Sequence, residues 1–98
     1  MTKFTGQQTY EAERRLPGIT NDTNVKAGSG KLARIIVTAG GAAGFSVWDD
    51  PAANSNLVFS FPSPVTTGQV FDLQIPLDNG LRITFTAGGV IQLCVTYS

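Results

Sequence analysis

Beyond residue 18 the chain falls into a two-residue rhythm of apolar and polar side chains, interrupted by turn residues about every eight to twelve positions. That spacing predicts many short strands packed as an all-β sandwich or barrel. After a weakly apolar stretch at 19–27, expected as an edge strand, strands are predicted over 31–39, 45–49, 57–61, 69–77, 81–87 and 91–97. Gly40-Gly41, Asp50-Pro51, Pro62-Ser63-Pro64, Asn79-Gly80 and Gly88-Gly89 separate them. Asp78-Asn79-Gly80, between LQIPL and LRITF, carries the strongest hairpin signal, because Asn-Gly supplies the positive φ of a tight turn at little cost. With Gly88-Gly89 as the next turn, the last three strands are expected to form an antiparallel meander. The small residues of 40–44 are expected to form another hairpin loop.

The same period assigns faces. Phe71, Leu73 and Ile75 oppose Asp72 and Gln74; Leu81, Ile83 and Phe85 oppose Arg82, Thr84 and Thr86; Ile91, Leu93, Val95 and Tyr97 oppose Gln92, Cys94 and Thr96. These apolar faces make the expected core, joined by Leu57, Phe59 and Phe61 and, from the facing sheet, by Ala33, Ile35 and Val37. Two strands depart from the rule. KLARIIV places Leu32 and Ile36 beside Arg34 on the polar face, and FSVWD places Trp48 opposite Phe45 and Val47. Scattered apolar side chains are ordinary on a soluble surface. Gathered on the outer face of one sheet, Leu32, Arg34, Ile36, Trp48 and Val58 would have the composition of an interface centre, and they are the expected oligomer contact.

The first 17 residues, MTKFTGQQTYEAERRLP, lack the rhythm. Phe4, Tyr10 and Leu16 are their only large apolar side chains, too few to offset an ordering entropy of about 1 to 2 kcal/mol per residue. A helical turn over 9–16 is too short to stand alone. Pro17-Gly18 marks the boundary. The expected organisation is a flexible arm at 1–17 followed by a small antiparallel β-sandwich at 18–98, jelly-roll-like, with about six to eight short strands.

Charge follows the same division. Seven basic residues balance seven acidic ones, yet six of the basic residues stand against three acids within 1–34, and one stands against four beyond. Net neutrality gives no global field to draw nucleic acid or an anionic membrane. No apolar run approaches the roughly 20 residues of a bilayer span, and the first residues lack the apolar centre of a secretory signal. The chain is expected to be soluble and unexported, with neither nucleic acid nor membrane as a partner.

The chemistry-bearing residues are few. Without His, and with Cys94 alone, the chain holds no His or Cys metal cage, no His acid/base pair and no intrachain disulfide. Gly28-Ser29-Gly30-Lys31 resembles the end of a phosphate loop, but Leu32 stands where Ser or Thr would hold magnesium, and a strand follows. Asp49-Asp50, near Asn54 and Asn56, offers adjacent carboxylates for calcium but lacks the spaced Asp pattern, so a solvated turn is the commoner outcome. As strand neighbours, the two point to opposite faces and do not form a catalytic pair. Cys94 has no adjacent base to activate it. Catalytic residues, metal and cofactor are all expected to be none, and the chain is expected not to be an enzyme.

Two segments carry a family resemblance. GSGKLARIIVTAGGAAGFSVWDDPAA and DLQIPLDNGLRITFTAGGVIQLCVTYS resemble the small β-sandwich structural proteins of tailed-bacteriophage virions, over about residues 26–98. The resemblance implies a capsid decoration, cement or head-fibre protein, usually oligomeric and often trimeric, made in the host bacterial cytoplasm and located on the virion surface. Its partners would be further copies of itself and the major capsid protein. An arm carrying Lys3, Phe4, Tyr10, Arg14, Arg15 and Leu16 is the expected contact with the shell, through ordering on the partner. A carbohydrate- or ligand-binding module using Trp48 and the 49–56 loop is the alternative, and a tail component is a further one.

Overall fold

The structure, a computed structural model, describes residues 14–86 and 89–98. Lys3, Phe4 and Tyr10 of the expected arm lie outside the described residues. Eight strands are present: β1 (Arg14–Ile19), β2 (Thr23–Ala27), β3 (Gly30–Ala39), β4 (Phe45–Trp48), β5 (Leu57–Phe61), β6 (Val70–Leu77), β7 (Gly80–Phe85) and β8 (Gln92–Tyr97). They form two antiparallel four-stranded sheets with strand orders β1-β8-β3-β6 and β2-β7-β4-β5. The chain is an all-β sandwich, and these orders are those of a jelly roll, in which successive strands repeatedly change sheet.

Only β4 and β5, among the described strands, are chain neighbours that also pair with each other. The expected C-terminal meander is therefore replaced by crossings: β6 and β8 lie in one sheet and β7 in the other. The loop at 40–44 likewise joins strands of different sheets. Turn residues report a reversal of the chain and are silent on whether the next strand pairs with the last. At 78–80 the reversal is an arch between sheets. Neither Asn79 nor Gly80 adopts the positive φ that a tight hairpin would use. What requires glycine at position 80 is space, since a Cβ there would stand 2.7 Å from the Pro51 nitrogen and 2.8 Å from the Lys26 carbonyl.

The core between the sheets is built by Leu32, Ile35 and Val37 of β3, Phe45 and Val47 of β4, Leu77 of β6, Leu81 and Ile83 of β7, and Ile91, Leu93 and Val95. Leu32 belongs here, fully buried, and not on an outer face. The reason is a β-bulge in β3. Leu32 pairs with Tyr97, while Arg34, two residues on, pairs with the adjacent Thr96, so one extra residue resets the alternation. Leu32 then shares the inner side with Tyr97, and Arg34 points out.

The expected boundary at Pro17-Gly18 falls inside β1. Arg14, Arg15 and Leu16 pair with Tyr97, Thr96 and Val95, and the register shifts before Ile19 pairs with Leu93. Pro17 and Gly18, at φ +71°, form this irregularity instead of ending the strand. β1 is an edge strand, where a proline's missing N–H leaves no ladder bond unmade. Leu16 packs against the core and Ile19 is buried within it.

Candidate interaction surfaces

The two long flanks of the sandwich, where the sheets end, differ in character. At one flank β5 closes the first sheet edge and β6 the other. Four phenylalanines meet there. Phe71 of β6 lies 4.8 Å from Phe61 and 5.6 Å from Phe59, both on β5, with the buried Phe45 5.7 Å behind it, measured between ring centroids. These separations and their tilted or edge-on geometries are those of favourable aromatic pairs. Phe59, Phe61, Phe71, Leu73 and Ile75, all expected in the core, are only half-buried, because no further strand covers the flank. Leu57, opening β5 across from Trp48, and Val70, opening β6 across from Ile36, are 57% and 56% exposed, each on the outer face of its own sheet and beside the flank, not in it. No residue from 51 to 71 is charged, and Asp72, the single charge on either strand, lies 3.7 Å from Arg34. The flank is a neutral apolar strip.

The opposite flank, between β1 and β2, is a cleft of about 620 Å³ lined by Arg14, Val25, Lys26, Ala27, Tyr97 and Ser98. Lys26 spans it, donating from Nζ to the carbonyls of Ser98, at 3.0 Å, and Ser29. Alternation separates the two arginines of the expected arm. Arg14 reaches this cleft, while Arg15, paired with Thr96, lies on the outer face of its sheet.

The five residues expected to form one outer patch are distributed over the molecule. Leu32 is in the core. Arg34 and Ile36 lie on the outer face of the β1-β8-β3-β6 sheet, Ile36 across from Cys94, which is itself buried between its neighbours. Trp48 and Val58 belong to the other sheet. Arg34, Ile36 and Trp48 face outward, on two different sheets, whereas Leu32 is in the core and Val58, at the register irregularity of β5, packs against it.

The outer face of the β2-β7-β4-β5 sheet is polar and tightly bonded. Trp48 is half-buried, its indole Nε1 donating to Thr84 Oγ1 at 2.9 Å. Arg82, directly across from it on β7, donates from Nε to Asn54 Oδ1 at 2.8 Å and from NH1 to Asn24 Oδ1 at 2.6 Å, with Asp22 at 4.0 Å. Both side chains are held in one conformation. The hydroxyls of Ser46 on β4 and Ser60 on β5 meet at 3.1 Å on the same sheet face.

Asp49 and Asp50 have structural occupations. Asp49 accepts backbone N–H bonds from Asp78, Asn79 and Gly80, and these amides hold its carboxyl below the ordinary value near 3.8, with Asn79 contributing most. Asp50 Oδ1 accepts the amides of Ala52 and Ala53, closing a turn on itself. Among the described residues no three carboxylate or thiol side chains converge as metal ligands would. No family model, curated protein or solved structure matches this chain.

Proposed function

We propose that this chain is a non-enzymatic structural protein of the virion, a capsid decoration or cement piece that oligomerises and binds a shell of major capsid protein. The observation that carries the reading is the neutral apolar flank of β5 and β6. The largest apolar patch on a small domain often marks an interaction surface. Jelly rolls serve as viral coat domains, which agrees with the resemblance of residues 26–98, although the fold hosts lectins as well. A trimer is the assembly that the resemblance implies. The N-terminal segment, with Arg15 at the margin of the sandwich, is the proposed contact with the shell.

The test is location. Particles from a lysate producing this chain are purified through a density gradient and analysed for it. Comigration with intact particles, and loss of particle stability when the gene is deleted, are the expected results. Absence from the particles would refute the assignment.

A second reading rests on the outer face around Trp48. A fixed indole beside a fixed guanidinium and the amides of Asn24 and Asn54 resembles a sugar-stacking platform, with the ring face for the apolar side of a saccharide and the amides for its hydroxyls. This reading centres the site on the sheet face and keeps Asn54 of the 49–56 loop in it. A glycan array separates it from the structural reading, which expects no response.

A further inference from the structure

We infer that Asn79-Gly80 is a site of spontaneous deamidation and backbone isomerisation, which the Asp49 carboxylate holds shut while the arch between β6 and β7 is closed. The inference concerns the fate of the chain itself and is independent of the partner it binds.

The chemistry needs only these two residues and water. The main-chain nitrogen of Gly80, having lost its proton, attacks the side-chain carbonyl carbon of Asn79. The new C–N bond closes a five-membered cyclic imide, and the bond to Asn79 Nδ2 breaks, releasing ammonia that carries the proton away. Water then opens the imide at either carbonyl, leaving aspartate or isoaspartate at position 79. Glycine favours the closure because it has no Cβ to crowd the ring. The pair Asn-Gly occurs in this sequence only at 79–80.

Asn79 is exposed, so water reaches its side chain. The nucleophile is restrained. Gly80 is buried, and its N–H donates to Asp49 Oδ1 at 3.2 Å. A carboxylate accepting that N–H favours its protonated form, and the negative charge opposes the amide anion that must form beside it. The leaving group is held as well, since Asn79 Nδ2 donates to the Asp49 carbonyl at 3.4 Å. Asn79 N–H donates to Asp49 Oδ1 at 2.8 Å, and the Asn79 carbonyl accepts the Gly28 amide at 2.9 Å, which fixes the main chain against the rotation that ring closure requires. Asp49 thus holds the attacking nitrogen, the leaving amide and the intervening backbone of one reaction.

The reaction runs one way. Isoaspartate lengthens the main chain by the side-chain carbon, and the arch has no slack for it: even a Cβ at Gly80 would stand 2.7 Å from the Pro51 nitrogen and 2.8 Å from the Lys26 carbonyl. Either product also adds a carboxylate beside Asp78 and Asp49, and like charges repel. A chain that reacts while its arch is open does not regain the same closed form.

The experiment incubates the full chain at neutral pH, folded and in denaturing guanidinium, and follows residue 79 by peptide mass spectrometry. Folded Asp49→Ala and Asp49→Asn are incubated alongside, their folding verified by circular dichroism. In the denatured chain Asn79 is expected to convert ahead of every other asparagine. Folding is expected to slow it at least about tenfold, the factor given by about 1.4 kcal/mol of added stabilisation of the N–H form. Asp49→Ala should recover most of that factor, and Asp49→Asn, which keeps a neutral acceptor, should fall between. Conversion of the folded wild type at the denatured rate overturns the inference, as does a denatured chain whose Asn79 persists or a folded Asp49→Ala as slow as wild type. Should Asp49→Ala fail to fold, Asp49→Asn decides: faster conversion than wild type supports the inference, and an equal rate overturns it. Converted wild type, isolated by anion exchange and returned to native buffer, is expected to melt below the unconverted chain. Equal melting overturns the one-way step.

Discussion

Asp49 and Asn79, thirty positions apart, are joined by a 2.8 Å bond from the Asn79 amide to the Asp49 carboxylate, and the amides of Asp78 and Gly80 converge on the same group. The end of β4 thereby fixes the arch that carries the chain from β6 to β7, across the sandwich. A carboxylate accepting several backbone N–H groups favours its ionised form. Its folded-state pKa is lowered, so its contribution to stability is fully present above the unfolded value near 3.8 and is lost as pH falls through the lower folded value. Asp49→Asn should remove this component of the acid transition. Asp49→Ala should cost about 1 to 2 kcal/mol at neutral pH by leaving the arch amides to solvent. Thermal melts between pH 2 and 7, taken as about the span of carboxylate titration, measure both. An unchanged acid limb in Asp49→Asn would show that the arch does not depend on the charge.

Calcium should have no effect on this protein. Asp49 is occupied by the arch, and Asp50 holds its own turn through Ala52 and Ala53. Binding an ion would require both carboxylates to give up these amides, and the donor set lacks the six to eight oxygens that calcium takes. Melting curves with and without millimolar calcium should superimpose. A rise in melting temperature would mean that the 49–56 loop rearranges into an ion site.

The alternation of Leu81, Ile83 and Leu93, Val95 was legible in the sequence because each strand has one face on the core and meets no bulge. Leu32 was not, because the bulge that turns it inward is set by pairing with Tyr97, sixty-five positions away. Phe59 and Phe71 read as core by the same rule that placed Ile83 there, yet they stand at the edges of their sheets. Local pattern gives a residue's face; its distance from the sheet edge depends on strand order, which is nonlocal. The Asp78-Asn79-Gly80 reversal was visible for its turn chemistry. That it crosses between sheets follows from strand order, which the turn residues do not encode; Asp49, outside the turn, holds the arch in place.

Edge position has an energetic consequence. Phe45 is fully buried behind the aromatic group, whereas Phe59 is half-buried on β5. Phe45→Ala should cost about 3 to 5 kcal/mol, enough to threaten a domain of this size. Phe59→Ala should cost about half as much, since part of its surface is already in contact with water. Urea denaturation of the two variants in parallel gives the comparison. Equal losses would mean that the flank is more enclosed than the exposure of Phe59 in the single chain indicates.

Truncation separates the arm from the sandwich. Removing residues 1–13 leaves every strand pairing described above in place, so the melting temperature should stay close to that of the full chain. Removing residues 1–19 deletes β1. It takes away Leu16 and the buried Ile19, and opens the edge of β8, whose Leu93 and Val95 they cover. The burial of Ile19 alone is worth about 1.5 to 3 kcal/mol, which for a domain of this length corresponds to a fall in melting temperature on the order of 10 °C. A cut after residue 17 should lie between the two, because Ile19 survives while its paired neighbours do not. If the two long truncations melt with the full chain, β1 contributes nothing to the sandwich and the arm extends to Gly18; if the 1–13 truncation already melts early, residues before Arg14 belong to the folded unit.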